Sequence, residues 1–511
     1  MTETPDAPSA APGLLLRDAA LPGREGCYDV LVEDGTVRAV LPAGESSPAA
    51  AEVRGLGGRF LLPGLWDNHV HFSQWTTQRQ RLGLGGTTSA AEVLQLVREA
   101  LAAPDGGGSG LSAPTPLVGY GFRDGLWPDE PGVAELDAVS GDHPVVLISG
   151  DLHCGWLNTA ASQLLQAQPD DSGLVREDAW FPAMERLQNS TALSTADYRA
   201  AAEAAARRGV VGVVEFENTD NITAWPQRVD QGVDLLRVEV SVWPDTLDAA
   251  LARGLKTGDP LDRLGLVTMG PLKVIVDGSL NTRTAWCWDP YPGMDPGHRH
   301  ACGMEAVPIP ELEGLMRRAR DGGLEAAIHA IGDRANTAVL DTFETLGMSG
   351  VIEHAQLVRE EDFPRFARLE LTAGVQPEHA MDDRDVADRF WEGRTGRAFA
   401  LRTLQEAGVR LRLGSDAPVA PLDPWVTMAA AVTRSRDGRE AWHPEQSISA
   451  VSALEASTRG RAEVRAGDAA DLAVVDHDPL DPALLEDGGE ALRTMPVAAT
   501  LVGGRFTWDA L

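Results

Sequence analysis

Apolar and polar positions alternate in short runs at both ends of the chain. Near the start, Leu14-Leu15-Leu16, Tyr28-Asp29-Val30-Leu31-Val32 and Thr36-Val37-Arg38-Ala39-Val40 read as strands, with Glu33-Asp34-Gly35 as a hairpin turn. Near the end, Asp471-Leu472-Ala473-Val474-Val475-Asp476 and Ala498-Ala499-Thr500-Leu501-Val502 read the same way, the latter leading through Gly503-Gly504 to Arg505-Phe506-Thr507. Two strand-rich termini around a large middle predict one composite β-domain, residues 12–62 with 463–511. The middle, 63–462, alternates apolar runs with helical periodicity, the pattern of a parallel α/β barrel of the (β/α)8 TIM type. Its eight candidate strands are Gly64–His71, Val210–Phe216, Arg237–Trp243, Pro271–Asp277, Glu325–His329, Val351–His354, Thr372–Gln376 and Arg410–Ser415.

The interval between the first two of these strands is longer than a barrel connection needs. It holds a Gly-rich linker, Ala103-Pro104-Asp105-Gly106-Gly107-Gly108-Ser109-Gly110, and apolar strands near 117–122 and 145–149. Residues 100–200 are expected to form an inserted subdomain near the active-site mouth, where barrel loops carry function. Residues 1–11 are rich in Ala, Pro and Ser and read as disordered.

The bulk properties narrow the class. The chain has 511 residues, enough for a barrel with a smaller added domain, and its 43% hydrophobic content fits a soluble globular protein. No apolar run is long enough for a membrane helix, and the N-terminus has neither a basic region nor an apolar core of a secretory signal, so the cytoplasm is the expected location. A formal net charge of −32 argues against nucleic acid and anionic membrane as partners. Cys27, Cys154, Cys287 and Cys302 are scattered without a C-x-x-C and read as reduced thiols.

Chemistry enters with Leu61-Leu62-Pro63-Gly64-Leu65-Trp66-Asp67-Asn68-His69-Val70-His71-Phe72. Alternate residues of a strand share a face, so His69 and His71 project side by side. They are half of a metal site or a polar pair on an exposed strand. Barrel active sites collect residues from the C-terminal ends of several strands. His69 and His71 end the first candidate strand, Lys273 lies in the fourth, His329 ends the fifth, His354 the sixth, and Asp416 the eighth. Of eleven histidines in the chain, four fall at these places, which favours the metal reading.

Seven segments carry a resemblance: LLPGLWDNHVHF (61–72), GDLHCGWLNTAA (150–161), KVIVDGSLNTRTAW (273–286), HAIGDRANTAVLD (329–341), VIEHAQ (351–356), QPEH (376–379) and LGSDAPVAPLDPW (413–425). In this order they resemble the metal-dependent amidohydrolase superfamily, in particular the amidohydrolase family 3 branch that includes N-substituted formamide deformylases. The resemblance implies a distorted barrel, a small β-sandwich from both termini, an insert near the active site and a homodimer. It implies one or two zinc ions per subunit. His69, His71 and Asp416 would hold one, His329 and His354 a second, and Lys273 would bridge them as a carbamate. A separate physical case exists for the lysine. Burial beside a metal depresses an amine's pKa, and the free amine can take up carbon dioxide to become a carboxylate-like ligand. The other reading of Lys273 is a snorkelling or ion-paired core lysine.

These roles imply hydrolysis of an amide or related C–N bond in a small-molecule substrate. A metal-bound water ionises near neutral pH and becomes the nucleophile. Asp416 would orient it, take its proton and pass that proton to the leaving nitrogen. His153 and His379 would donate hydrogen bonds to the carbonyl or tetrahedral intermediate, or else serve as structural histidines. Arg283 would read a substrate anion or pair with Asp277. Trp127, Trp156 and Trp286 would wall an aromatic pocket or belong to the core. Asp333 is expected to accept the outer N–H of a metal-binding histidine, with Asp67, Glu353 and Gln376 as weaker candidates; Gln376 is also a candidate substrate contact. Three features depart from the family pattern: Asn68 where a small residue is usual, Asn281-Thr282 in place of a small-residue turn, and Cys154-Gly155 after His153. The alternative substrate is a cyclic imide, lactone or ester. A non-catalytic regulatory derivative would have lost ligands, and all six are present.

Overall fold

A computed structural model describes residues 13–45, 52–102, 116–149, 154–170, 172–176, 179–190 and 193–511. The chain forms two compact units, Met1–Trp75 with Tyr198–Leu511, and Thr76–Asp197. The expected linker 103–110, residues 1–11 and His153 lie outside the described residues.

The larger unit contains the barrel. Its strands are β1 (Leu65–Val70), β2 (Val210–Glu215), β3 (Arg237–Val242), β4 (Val267–Ile275), β5 (Ala326–Ala330), β6 (Gly350–His354), β7 (Thr372–Val375) and β8 (Arg410–Leu413). They pair in sequence order and all in parallel. Strands such as β2, VVGVVE, are buried along their whole length, as expected for a parallel sheet covered on both faces. All eight candidate strands are present; the fourth begins at Val267, earlier than the expected Pro271. Pro271 cannot donate to a ladder, and β4 accommodates it where the pairing with β3 shifts register, between Val240 and Val242. A proline inside the run therefore read as a beginning.

The barrel closes unevenly. Between β1 and the end of β8 the backbone makes a single bridge, Val70 to Ala417, with His71 N–H donating to the Ala417 carbonyl (2.8 Å) and Asp416 N–H to that of His69 (2.8 Å). Side chains finish the seam. Asn68 Nδ2 donates to the Leu413 carbonyl at 2.7 Å, and Asp67 Oδ1 accepts from Ser415 N–H at 2.9 Å. Asn68 thus replaces a missing ladder bond between the first and last strands. Gly414 allows the approach: a Cβ there would lie 2.8 Å from the His69 nitrogen.

Both termini build one eight-stranded sheet in the same unit, in which Phe60–Pro63 pairs antiparallel with Leu472–Val475. Asp34 and Gly35 take left-handed φ values of 48° and 71° in the hairpin turn between Cys27–Glu33 and Thr36–Pro42. The sheet curls until Val37 N–H reaches the Asp468 carbonyl (2.9 Å), enclosing a small sandwich core with Leu16, Val30, Leu61, Leu472 and Leu501. Arg237, at the start of β3, bonds both oxygens of Asp471 (2.6 and 3.0 Å) and ties this sheet to the barrel.

The unit Thr76–Asp197 begins before residue 100, because Leu84, Ala90, Val93 and Val97 already belong to its core. It holds a five-stranded mixed sheet that includes Leu117–Phe122 and Val145–Ser149. Alternate residues of the latter feed two cores, Val145 and Leu147 on one face, Val146 and Ile148 on the other. Asn158 caps the helix Thr159–Leu164 and also binds Val145, Ser140 and His143, so this motif residue holds the unit together. Among the described residues, no helix is long and apolar enough to cross a membrane.

Candidate metal centre

The C-terminal ends of five barrel strands bring the six expected side chains into one neighbourhood. On β1, His69 is buried, and its ring centroid lies 5.7 Å from that of His71 and 4.9 Å from that of His354. His354 is 4.4 Å from His329, centroid to centroid. Asp416 faces the group from the end of β8. Its Oδ1 lies 3.5 Å from His69 Nε2 and 3.3 Å from His71 Nε2, and its Oδ2 lies 3.9 Å from His379 Nε2. The potential ligand atoms of His69, His71 and Asp416 fall within 4.8 Å of one another, as do those of His354, His379 and Asp416. The second set includes His379 in the position expected for His329, whose Nε2 stands 3.5 Å from Asp277 Oδ1.

Local backbone conformation aims these groups. His354, Ala355 and Asp416 have φ values of 72°, 41° and 56°, a left-handed conformation uncommon outside glycine and concentrated at functional sites. The turn at His354 breaks strand alternation, so Glu353 also reaches the centre. Its Oε2 lies 2.7 Å from His69 Nδ1 and orients the ring so that Nε2 faces Asp416. Gly374 leaves room for it: a Cβ there would be 2.4 Å from Glu353 Oε2. Gln376 Nε2 approaches the same His69 nitrogen at 3.5 Å. His379 sits on the helix Pro377–Phe390, anchored by Glu378 to Arg436 (2.8 Å) and to Arg493 (2.9 Å).

Burial sets the charge states. It drives the pKa of His69 and His354 well below the ordinary histidine value, and that of His329 down to about 3, with Lys273 adding to the effect. Neutral imidazoles with free lone pairs are the form that binds metal. His71 differs: burial is the largest single influence and works against its cation, but the hydrogen bond and charge of Asp416, with the charge of Glu215, together raise its pKa. Lys273 is 1% exposed; burial lowers its pKa, opposed by Glu353 and Asp416. Its Nζ lies 4.3 Å from the centre of the Phe216 ring and has no hydrogen-bond partner.

The donor set fits a metal. Among the described residues, His71 Nδ1, His329 Nε2, His354 Nδ1, His379 Nε2 and Lys273 Nζ are all buried without a hydrogen-bond partner. Buried polar atoms are ordinarily satisfied, and five orphans in one cluster mark a place for a group that accepts lone pairs. Imidazole and carboxylate donors suit a divalent cation such as zinc.

Other expected residues are placed differently. Asp333 accepts from Trp288 N–H (3.0 Å) and Arg397 Nη2 (2.8 Å) rather than from a histidine; Glu353 has the contact expected of it. Asp277 accepts three backbone N–H groups, from Trp286, Ile331 and Gly332, and Arg283 is instead exposed with its guanidinium over Phe390, 5.4 Å from the ring centre. Trp156 is fully buried in the core of Thr76–Asp197, and Trp127 packs on Phe122 and donates to the Thr87 carbonyl at 3.3 Å in that unit. Trp286 is half-buried beneath Arg334.

Comparison with known proteins decides the family. The model of the amidohydrolase family, Amidohydro_3, matches residues 52–507. The chain belongs to the amidohydrolase family. It is accordingly an enzyme, a metal-dependent hydrolase of the amidohydrolase kind. Among its relatives is a putative amidohydrolase, YtcJ, of Bacillus subtilis strain 168, 27% identical over 94% of this chain and 96% of that one. The N-substituted formamide deformylase of Arthrobacter pascens is 26% identical over 95% of this chain and 96% of its own length. Among solved structures, a metal-dependent hydrolase from Pyrococcus horikoshii OT3 superposes with a TM-score of 0.73 at 25% identity, covering 93% of this chain and 99% of that one. In this amidohydrolase, the orphaned donors lie in the cluster at the C-terminal ends of the barrel strands.

Proposed function

We propose that this amidohydrolase cleaves the C–N bond of a small N-substituted amide at a zinc centre held by His69, His71, His329, His354 and Asp416, with Lys273 bridging as a carbamate. The observation that carries the reading is the position of Asp416, one oxygen facing His69 and His71 and the other facing His379. A zinc ion held there would acidify a bound water to near neutral pH and polarise the substrate carbonyl. The protein supplies the rest. Asp416 Oδ2, turned toward His379, takes the proton of the attacking water and delivers it to the departing nitrogen. His379, buried with a free Nε2, donates a hydrogen bond to the charge that develops on the carbonyl oxygen. Glu353 holds the His69 ring through Nδ1, and Gln376 packs beside it. The similarity to a protein named N-substituted formamide deformylase supports an N-substituted amide as substrate.

Chelator treatment followed by zinc tests this reading. The protein should lose and regain turnover on a panel of N-alkyl formamides, N-acyl amino acids and lactones, with the formamides turned over fastest. Turnover that survives complete metal removal would overturn the metal mechanism; preference for lactones would overturn the substrate class.

A further inference from the structure

A cavity of about 670 Å³ opens at the pole of the barrel opposite the histidine cluster, among the N-terminal ends of the strands. Its lining includes Trp66 from β1, Arg237 and Glu239 from β3, Arg412 from β8, and Arg459 from the loop after the helix Ala450–Ser457. It shares no residue with the metal cluster.

The guanidinium groups here are unequally used. Arg237 is saturated, by Asp471 and by the Gly265 carbonyl (3.0 Å). Arg459 lies against the Trp66 ring at 4.1 Å and 2.9 Å from Glu239. That ion pair runs through Nη2, to Glu239 Oε2, while the buried Nε has no hydrogen-bond acceptor among the described residues. Burial pushes its pKa down, against Glu239, without approaching neutrality for a guanidinium. Arg412 is half-buried on the same lining, and among the described residues no carboxylate stands within ion-pair distance of it; Glu353 acts on it only from farther away. Arg410, two residues earlier on the same strand face, adds a further exposed cation. The lining carries these four arginines against two glutamates, Glu239 and Glu455, around a half-open space; in a protein of net charge −32 that excess of cations, with donors left over, is a local reversal of sign.

We propose that this cavity is a binding site for a small oxyanion, a phosphate or carboxylate group, held by the free donors of Arg459 and Arg412. Guanidinium groups present forked donors that match such oxyanions, and an acceptor between these two arginines would satisfy the buried Nε of Arg459. Glu239 stays paired with Arg459 and fixes the direction of its fork.

Calorimetric titration of the full-length protein with inorganic phosphate, and separately with succinate, at constant ionic strength set with chloride, tests the site and distinguishes the two sources. The expected result is saturable binding of at least one of them at one site per chain. Arg412→Gln and Arg459→Gln should each weaken it by about tenfold or more, the loss expected for charge-assisted hydrogen bonds. Absence of saturable heat with both anions would overturn the proposal and leave a water-filled cavity. Binding unchanged in folded Arg412→Gln protein would also overturn it. The measurement on the unsubstituted protein stands even if Arg459→Gln fails to fold.

Discussion

Glu353 Oε2 lies 2.7 Å from His69 Nδ1, both groups almost fully buried, in the middle of the histidine cluster. The contact fixes which nitrogen of His69 remains for a metal. Carboxylates in this position raise the basicity of the ligand and restrain its ring, and their loss typically costs about 10–100-fold in metal affinity. Glu353→Gln keeps the shape and removes the charge. It should lower metal affinity within that range, measured by competition with a chromophoric chelator, and excess metal should restore activity. An unchanged affinity would show that the pair is structural only.

With Lys273 as the proposed carbamate, metal loading should depend on pH and carbon dioxide. Burial lowers its pKa below the ordinary value of ~10.4 for lysine. In the metal-free protein the folded state therefore releases this proton at lower pH than the unfolded chain. Between the two values the unfolded chain binds more protons, so the Lys273 contribution to stability rises with pH through that window. The same free amine is what carbon dioxide requires. Metal uptake by the apoprotein in bicarbonate should accelerate with rising pH, with a midpoint below ~10.4. Lys273→Met should abolish the bicarbonate dependence. Uptake indifferent to bicarbonate at every pH would contradict the carbamate.

Gly414 is the weak point of the closing seam. A Cβ at this position would meet His69 N at 2.8 Å and His69 Cβ at 2.9 Å. Backbone cannot yield there without moving His69 or Asp416. Gly414→Ala should destabilise the protein by about 1–3 kcal/mol, the usual cost of overpacking a filled site. Denaturant unfolding reads this loss. Metal content should fall in parallel, because the displaced groups are proposed ligands.

The two roles proposed for Asp416 are separated by a single substitution. Asp416→Asn leaves one oxygen for coordination and removes the base. The rate constant for amide hydrolysis should fall by about 10²–10⁴-fold, the usual contribution of a positioned acid–base group. Metal content after dialysis should fall much less. Equal losses in both would assign Asp416 to coordination alone.

Much of the barrel and of the ligand cluster was legible in the sequence because the signals were local. Each strand is a short apolar run, and β1 carries its two histidines at the strand period. The partner of His69 was not legible in the same way. Glu353 and His354 are neighbours, and in a regular strand they face opposite sides; only the left-handed turn at His354 brings both to the centre. Asp333, in a motif with His329, read as the stronger candidate to hold a metal-binding histidine and Glu353 as a weaker one, but Arg397, distant in sequence, takes the Asp333 carboxylate. Asn68 read as a departure from pattern, and its purpose depends on the carbonyl of Leu413 across the seam. Long-range hydrogen bonds of this kind leave no trace in periodicity.

The most direct test of the metal centre is an anomalous difference map recorded at the zinc absorption edge from crystals grown with zinc. The account predicts one or two peaks within about 2.0–2.3 Å of nitrogen and oxygen atoms of His69, His71, His329, His354, Lys273 carbamate and Asp416. A map with no peak among these side chains, in a protein still active on amides, would contradict it.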